Sequence, residues 1–321
     1  MTSTAYLLIS HGSRDPRHQA AINRLAQLVR ERLNPSLRGP WSGSQSFTHG
    51  FTTDQATGME VVDRQNRNGL RNVPDVGTVS PVLMATAGSR AATVGRNPMR
   101  LSRDRFIVGT AVLDFGLLPL HEQICEFGRR LSSAGIDRLR LVPLFLLRGK
   151  HVIDDIPREV TLAREALNGL IELEVGGYIG GHPRMSDLIL NRFLHSPQTG
   201  RLLIAHGSRR VKGNRSVDNM AKSLGTAVAY WTTESNIEDQ TIHLMQQGCS
   251  TLTIFPYFLF AGGITDAVAH LTEELAERFP RTSFRLLPPL GATTDMANLV
   301  VESLGHRPES YGVSRAEAYA V

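Results

Sequence analysis

The stretch LLISHGSR, Leu7 to Arg14, returns as LLIAHGSR, Leu202 to Arg209, with seven of eight letters unchanged. An apolar run ending twice in His-Gly-Ser-Arg marks an internal duplication, and that governs every other reading of the chain. Working outward from the two anchors, further segments pair in the same order. TAVLDF (Thr110 to Phe115) meets TAVAYW (Thr226 to Trp231). LVPLFLLRGKH (Leu141 to His151) meets IFPYFLFAGGI (Ile254 to Ile264), and GGYIGGHPRM (Gly176 to Met185) meets LPPLGATTDM (Leu287 to Met296).

Each copy alternates short apolar runs with helix-length segments. Leu7 to Ser10 suits a strand buried on both faces, and Asp15-Pro16 supplies a cap and a first helical residue. Ile22, Leu25, Val29 and Leu33 follow at helical spacing, and Val217, Met220, Ala221 and Leu224 repeat that face. Phe106–Leu113, Leu139–Leu146 and Ile171–Gly176 are the other strands expected in the first copy. Strict alternation predicts an α/β protein with two duplicated, doubly wound parallel-sheet domains and a cleft between them. The first domain is expected over residues 1–197 and the second over 198–305, with a flexible tail at 306–321.

The copies differ in one large respect. His11 and Thr110 are separated by several times the stretch that separates His206 from Thr226. The excess, about 35–105, is rich in Gly, Ser, Thr, Asn and Arg, contains Pro35, Pro40, Pro74, Pro81 and Pro98, and lacks periodicity. It is expected to be a disordered insertion.

Bulk properties bound the function. With 321 residues, 41% hydrophobic and 20% charged, the composition is that of a soluble globular protein. No apolar run is long enough for a membrane span or a signal peptide, so a cytoplasmic location is expected. Cys125 and Cys249 each fall in a helix-like segment and match no metal or redox spacing. The net charge of +5 points to an acidic small molecule; scattered arginines without a basic block or aromatic interleaving argue against nucleic acid.

Ligands of a doubly wound sheet bind beyond the carboxyl ends of its strands. His11 ends the first strand, Asp114 the second, and His151 follows the third. Two imidazoles and a carboxylate facing one space suit a borderline divalent cation. By the segment pairing, His206, Tyr230 and Ile264 stand at the matching places of the second copy, so only one of three donors is retained there. The first copy therefore reads as the working site and the second as a scaffold. Ser13 and Arg14 precede a helix and suit an anion. Arg209 repeats Arg14, and Arg148 and Lys150 place two cations beside His151, where the second copy has Ala261 and Gly263.

The combination LLIxHGSR, T-A-x-L-[DE]-F, PLFLLRGKHVIDDIP and a later GGHP resembles the sirohydrochlorin chelatase family in its long form, where two related domains share one polypeptide. The resemblance covers the chain outside the insertion and the tail. It implies a chelatase-like fold, with the macrocycle held between the two domains. It also implies ATP-independent insertion of Co²⁺ or Fe²⁺ into sirohydrochlorin for cobalamin or sirohaem synthesis. No cofactor is required, and the metal is a substrate. The family's two metal-handling histidines fall on His11 and His151, and its acidic partner, commonly Glu, falls on Asp114, which either binds metal or relays protons. Ser13, Arg14, Arg148, Lys150, His206 and Arg209 are then candidates for the polycarboxylate substrate. Iron, cobalt and nickel stay open, as does monomer or homodimer. A non-catalytic metal or tetrapyrrole carrier is the alternative; a histidine phosphatase would want Arg before His11, and position 10 is Ser.

Overall fold

The computed structural model describes residues 4–34, 106–193, 200–208, 213–232 and 237–305. The insertion predicted at 35–105, the tail from 306 and Arg209 lie outside the described residues. All described residues fall in one compact unit.

The first copy builds a parallel sheet from β1 (Thr4–Ser10), β2 (Ile107–Val112), β3 (Arg138–Pro143) and β4 (Glu172–Val175), in the order β2-β1-β3-β4. Its helices are α1 (Pro16–Leu33), α2 (Leu120–Ser133), α3 (Ile156–Leu167) and α4 (Met185–Phe193). The second copy repeats the plan. Strands β5 (Gly200–Ala205), β6 (Ala227–Tyr230), β7 (Thr251–Tyr257) and β8 (Ser283–Leu286) lie in the order β6-β5-β7-β8. They alternate with α5 (Arg215–Ser223), α6 (Ile237–Gln246), α7 (Gly263–Arg278) and α8 (Thr294–Gly305). The duplicated α/β architecture expected from the repeats is the one observed.

Period-two burial explains why these short apolar runs are central strands. In β1, Ala5, Leu7 and Ile9 pack on α2 and α3, while Tyr6 and Leu8 face the opposite side. That opposite side belongs to a core shared by both sheets. It joins Leu8, Val142 and the α1 residues Ile22, Leu25 and Val29 to Leu203, Phe255, Met296 and Val300 of the second copy. A third cluster, around Leu202, Ile204, Leu252, Ile254 and Val268, fills the outer face of the second sheet.

Helix α1 starts as its sequence dictates. Asp15 caps it by accepting from the Arg17 amide at 2.9 Å, and Pro16 occupies the first turn. At its other end Asn34, 5% exposed, donates to Arg30 O (3.0 Å) and Phe106 O (3.2 Å) and accepts from Phe106 N (2.9 Å). The points where the chain leaves for residue 35 and returns at 106 are thereby pinned side by side.

Two expectations need correction. Cys249 lies in the turn between α6 and β7, outside any helix, because Gly248 (φ 89) ends the helical run. The pairing of Asp114 with Tyr230 is two residues out of register. Ser10 pairs with Val112, and Ala205 pairs with Tyr230, so Tyr230 corresponds to Val112. The residue matching Asp114 is Thr232, as the next hydrogen bonds show: Asp114 N donates to His11 O (2.8 Å) and Thr232 N to His206 O (3.0 Å). Tyr230 is buried; its hydroxyl bonds Asp218, and burial and that carboxylate push it above the ordinary phenol range.

Candidate metal centre

The order β2-β1-β3-β4 puts a topological switch between β1 and β3, because the chain leaves these neighbours toward opposite edges. The carboxyl ends of β1, β2 and β3 converge there. His11 follows β1 directly, and Gly12 lets the chain turn with φ of 93°. A Cβ at Gly12 would stand 1.9 Å from Asp114 O, so only glycine permits the close approach of the β1 and β2 exits. The loop carrying Asp114 is tied down by Gln123, which accepts from Val112 N and donates to Val112 O and Leu118 O. The N-cap position of α2 is held by Pro119, which leaves Asp114 outside the helix.

His151 opens a wide π-helical turn, His151–Asp155, that runs into α3. The i,i+4 spacing brings Asp155 Oδ2 within 2.8 Å of His151 Nδ1. A carboxylate only accepts, so Nδ1 carries the proton and Nε2 presents its lone pair. The same reasoning applies to His11, whose Nδ1 faces Gly12 O at 3.2 Å. Its Nε2 lies 3.6 Å from Asp114 Oδ2.

Ligand atoms of His11, Asp114 and His151 all lie within 4.8 Å of one another. The imidazoles meet edge to face, with ring centroids 4.8 Å apart, over the buried ring of Phe145 at 6.5 and 6.0 Å. His11 and Asp114 are each 48% exposed, so the cluster opens to a ligand from outside. Two neutral imidazole nitrogens and one carboxylate oxygen form a set that binds a borderline divalent ion while leaving coordination positions free.

The other predicted residues distribute as follows. Ser13 Oγ accepts from Asp15 N at 3.0 Å. Arg14 holds its guanidinium 5.3 Å from the centre of the Phe115 ring. Arg148 and Lys150 are exposed on the loop before His151, with Lys150 Nζ 3.8 Å from Asp155 Oδ1. His206 adopts the pose of His11, its Nδ1 facing Gly207 O at 3.0 Å, but Thr232 stands where a carboxylate would be. Where His151 and Asp155 form their pair, the second copy has Ile264 and the buried Val268, and α7 begins with Thr265 bonded to the Gly262 backbone.

Sequence reasoning missed Asp155, although His-x-x-x-Asp at the start of a helix was a readable signal. It also passed over His18. That imidazole packs edge-on to Phe260 at 5.4 Å, and burial, followed by the field of His11, lowers its pKa.

Known proteins resemble this chain in sequence and fold. The chain matches the CbiX family model twice, over residues 101–196 and 200–306. It is 27% identical over 117 residues to the chloroplastic sirohydrochlorin ferrochelatase of Arabidopsis thaliana; the match takes in 33% of this chain and about half, 52%, of that relative. Among solved structures, SirB from Bacillus subtilis with Fe³⁺ superposes with a TM-score of 0.61 at 15% identity, covering 95% of each chain. The sirohydrochlorin chelatase SirB from B. subtilis subspecies spizizenii in complex with cobalt gives 0.57 at 15% identity, covering 95% and 94%. Those two likenesses show a common fold. Matched once by each of its two copies, and over more than half its length, the chain belongs to the CbiX family.

Proposed function

We propose that this protein inserts a divalent metal, Co²⁺ or Fe²⁺, into sirohydrochlorin without ATP, and that His11, Asp114 and His151 deliver the metal. The observation that carries the reading is the set of three donor atoms within 4.8 Å at the mouth of the sheet. The family and the metal-bearing neighbours support it.

Metallation exchanges two pyrrole N–H protons for one divalent cation, so the site must surrender a metal and take up protons in the same place. In the neutral ring, with the proton on Nδ1 facing Gly12 O or Asp155, Nε2 of His11 and of His151 can do either. The Asp114 carboxylate balances the metal's charge and then accepts a proton. A three-donor set favours release; a fourth protein ligand would close the site. Arg14, Arg148 and Lys150 supply charge and Ser13 a hydroxyl for the peripheral carboxylates, and we assign His206 and Arg209 to the substrate from the second half. Residues 1–197 and 198–305 are the two domains of this reading. Both cysteines are free thiols, which suits a reducing cytoplasm.

The test is anaerobic absorbance of sirohydrochlorin with Fe²⁺ or Co²⁺ and catalytic amounts of protein. Many turnovers above the spontaneous rate are expected, and the faster metal identifies the pathway served. A spectral change that stops at one equivalent would mean a carrier. His151→Ala is expected to abolish turnover and Ile264→Ala to leave it nearly intact; equal losses would overturn the single-site reading.

A further inference from the structure

Phe115 is the residue whose conformation the fold itself does not account for. Its φ is 61°; among the described residues the other non-glycine with positive φ is Asn168, an ordinary asparagine C-cap of α3. A left-handed backbone is unfavourable for a bulky aromatic, and such strain persists only where the surroundings impose it. Here they do: Asp114 N is bonded to His11 O on one side, and Gln123 clamps Val112 and Leu118 around the loop. Burial gives no compensation, because Phe115 is 58% exposed.

What the conformation achieves is placement. The ring stands 6.3 Å from the His11 imidazole and tilted 35° to it, with the Arg14 guanidinium 5.3 Å from its centre. Leu117, two residues on, is 71% exposed, and Ile153, two residues past His151, is 44% exposed. Three of the seven exposed large apolar side chains among the described residues thus sit on the loop that carries Asp114 and the π-helical turn that carries His151. Exposed apolar side chains on the segments that carry a polar cluster fit a ligand that is flat and conjugated at its centre and charged at its edge.

We propose that Phe115, flanked by Leu117 and Ile153, is the seat on which the conjugated face of the tetrapyrrole rests while its nitrogens face the metal cluster. The ring also steadies Arg14 within reach of an edge carboxylate. This assignment rests on the chelatase reading above.

The experiment titrates the full chain with metal-free sirohydrochlorin under anaerobic conditions, measures KM and kcat for metallation, and measures Co²⁺ affinity separately. Phe115→Ala and Phe115→Gly are expected to weaken macrocycle binding and raise KM about tenfold, the loss of one aromatic stacking contact, with kcat at saturation and Co²⁺ affinity nearly unchanged. Phe115→Tyr is expected to restore both. Phe115→Gly is expected to melt no lower than Phe115→Ala, since glycine accepts the left-handed backbone. Unchanged KM and macrocycle affinity in the Ala and Gly variants would overturn the seat and leave the chelatase reading standing. A parallel fall in Co²⁺ affinity would make Phe115 a mere prop for the metal cluster, and a Tyr variant as weak as Ala would equally count against it. Wild-type protein that neither binds nor metallates sirohydrochlorin would overturn both readings.

Discussion

At the scale of single residues, the two His-Gly turns look interchangeable in sequence and are not so in space. Gly12 and Gly207 both have positive φ, 93° and 86°, yet a Cβ meets the Asp114 carbonyl at 1.9 Å in one and the side-chain hydroxyl of Thr232 at 2.9 Å in the other. Gly12→Ala is therefore expected to cost more than ~2 kcal/mol, because a backbone must move, whereas Gly207→Ala should cost less, about 1–2 kcal/mol, from its dihedral and a small shift of the Thr232 side chain. Chemical denaturation of the two variants checks the order. Asp155 is a second such case. It fixes the ring and tautomer of His151 without joining the metal cluster, and Asp155→Asn is expected to lower Co²⁺ affinity about tenfold or more. Isothermal titration would read it. His11, Asp114 and His151 were legible in sequence because each follows an apolar strand. Phe115 was not singled out, since holding a left-handed backbone leaves no mark in composition, and Asp155 was passed over although its spacing from His151 was readable.

Elements were legible wherever burial is two-faced, and least so at their ends. The four strands expected in the first copy are all present, trimmed by a residue or more at most ends, because a strand stops where its pairing stops. Register was the error. Matching TAVLDF to TAVAYW by letters put Tyr230 opposite Asp114, while the hydrogen-bonded ladder puts Thr232 there. Two-residue slips keep every side chain on the same face, so hydrophobic pattern cannot detect them. Helix α2 shows another contact that spacing conceals. Its N-cap is Pro119, which offers no side-chain acceptor, and Glu159 of α3 takes the role by accepting from His121 N (3.1 Å) and lying 2.8 Å from His121 Nδ1. Burial raises the Glu159 pKa, but the His121 contacts, helped by Arg158, more than reverse this and hold it below the ordinary range. A folded-state pKa below the unfolded one gives stability that is present above the unfolded value and lost as pH falls through the folded one. Glu159→Gln should accordingly be less stable than wild type at neutral pH, with the gap closing in acid below the usual carboxylate range, as urea melts would show. Asn34 closes the exit to residue 35 against the return at 106. Asn34→Ala, which takes the side-chain partner from Phe106 N and Phe106 O while Arg30 O keeps its bond from the backbone N of residue 34, should cost about 1–3 kcal/mol in the same assay.

For the whole molecule, the shared core is the consequential feature. Leu8 lies at 0% exposure in a cluster that includes Phe255, Met296 and Val300 from the other half. Leu8→Ala is expected to destabilise by about 2–5 kcal/mol. It should lower hydrogen-exchange protection in β7 as well as β1; loss confined to β1 would mean that the halves unfold separately. The buried Arg140 of β3 adds a second tie, donating to Leu304 O at the end of α8. Arg17 links α1 to Asp266 of α7 at 2.6 Å, but it is exposed and contributes orientation more than stability. No helix among the described residues is long and apolar enough to cross a membrane.

Residue order alone carries the duplication, the alternation of strand and helix, the two parallel sheets and the asymmetry in polar strand ends. All of these follow from which residues must leave water and with what period, and that is written locally. Three things came only from the folded chain: a single core joins the halves, Thr232 rather than Tyr230 faces His206, and Phe115 is held exposed beside the His11–Asp114–His151 cluster. Each of those depends on which strand exits are brought together by pairing and packing, a relation between distant residues that no local pattern encodes.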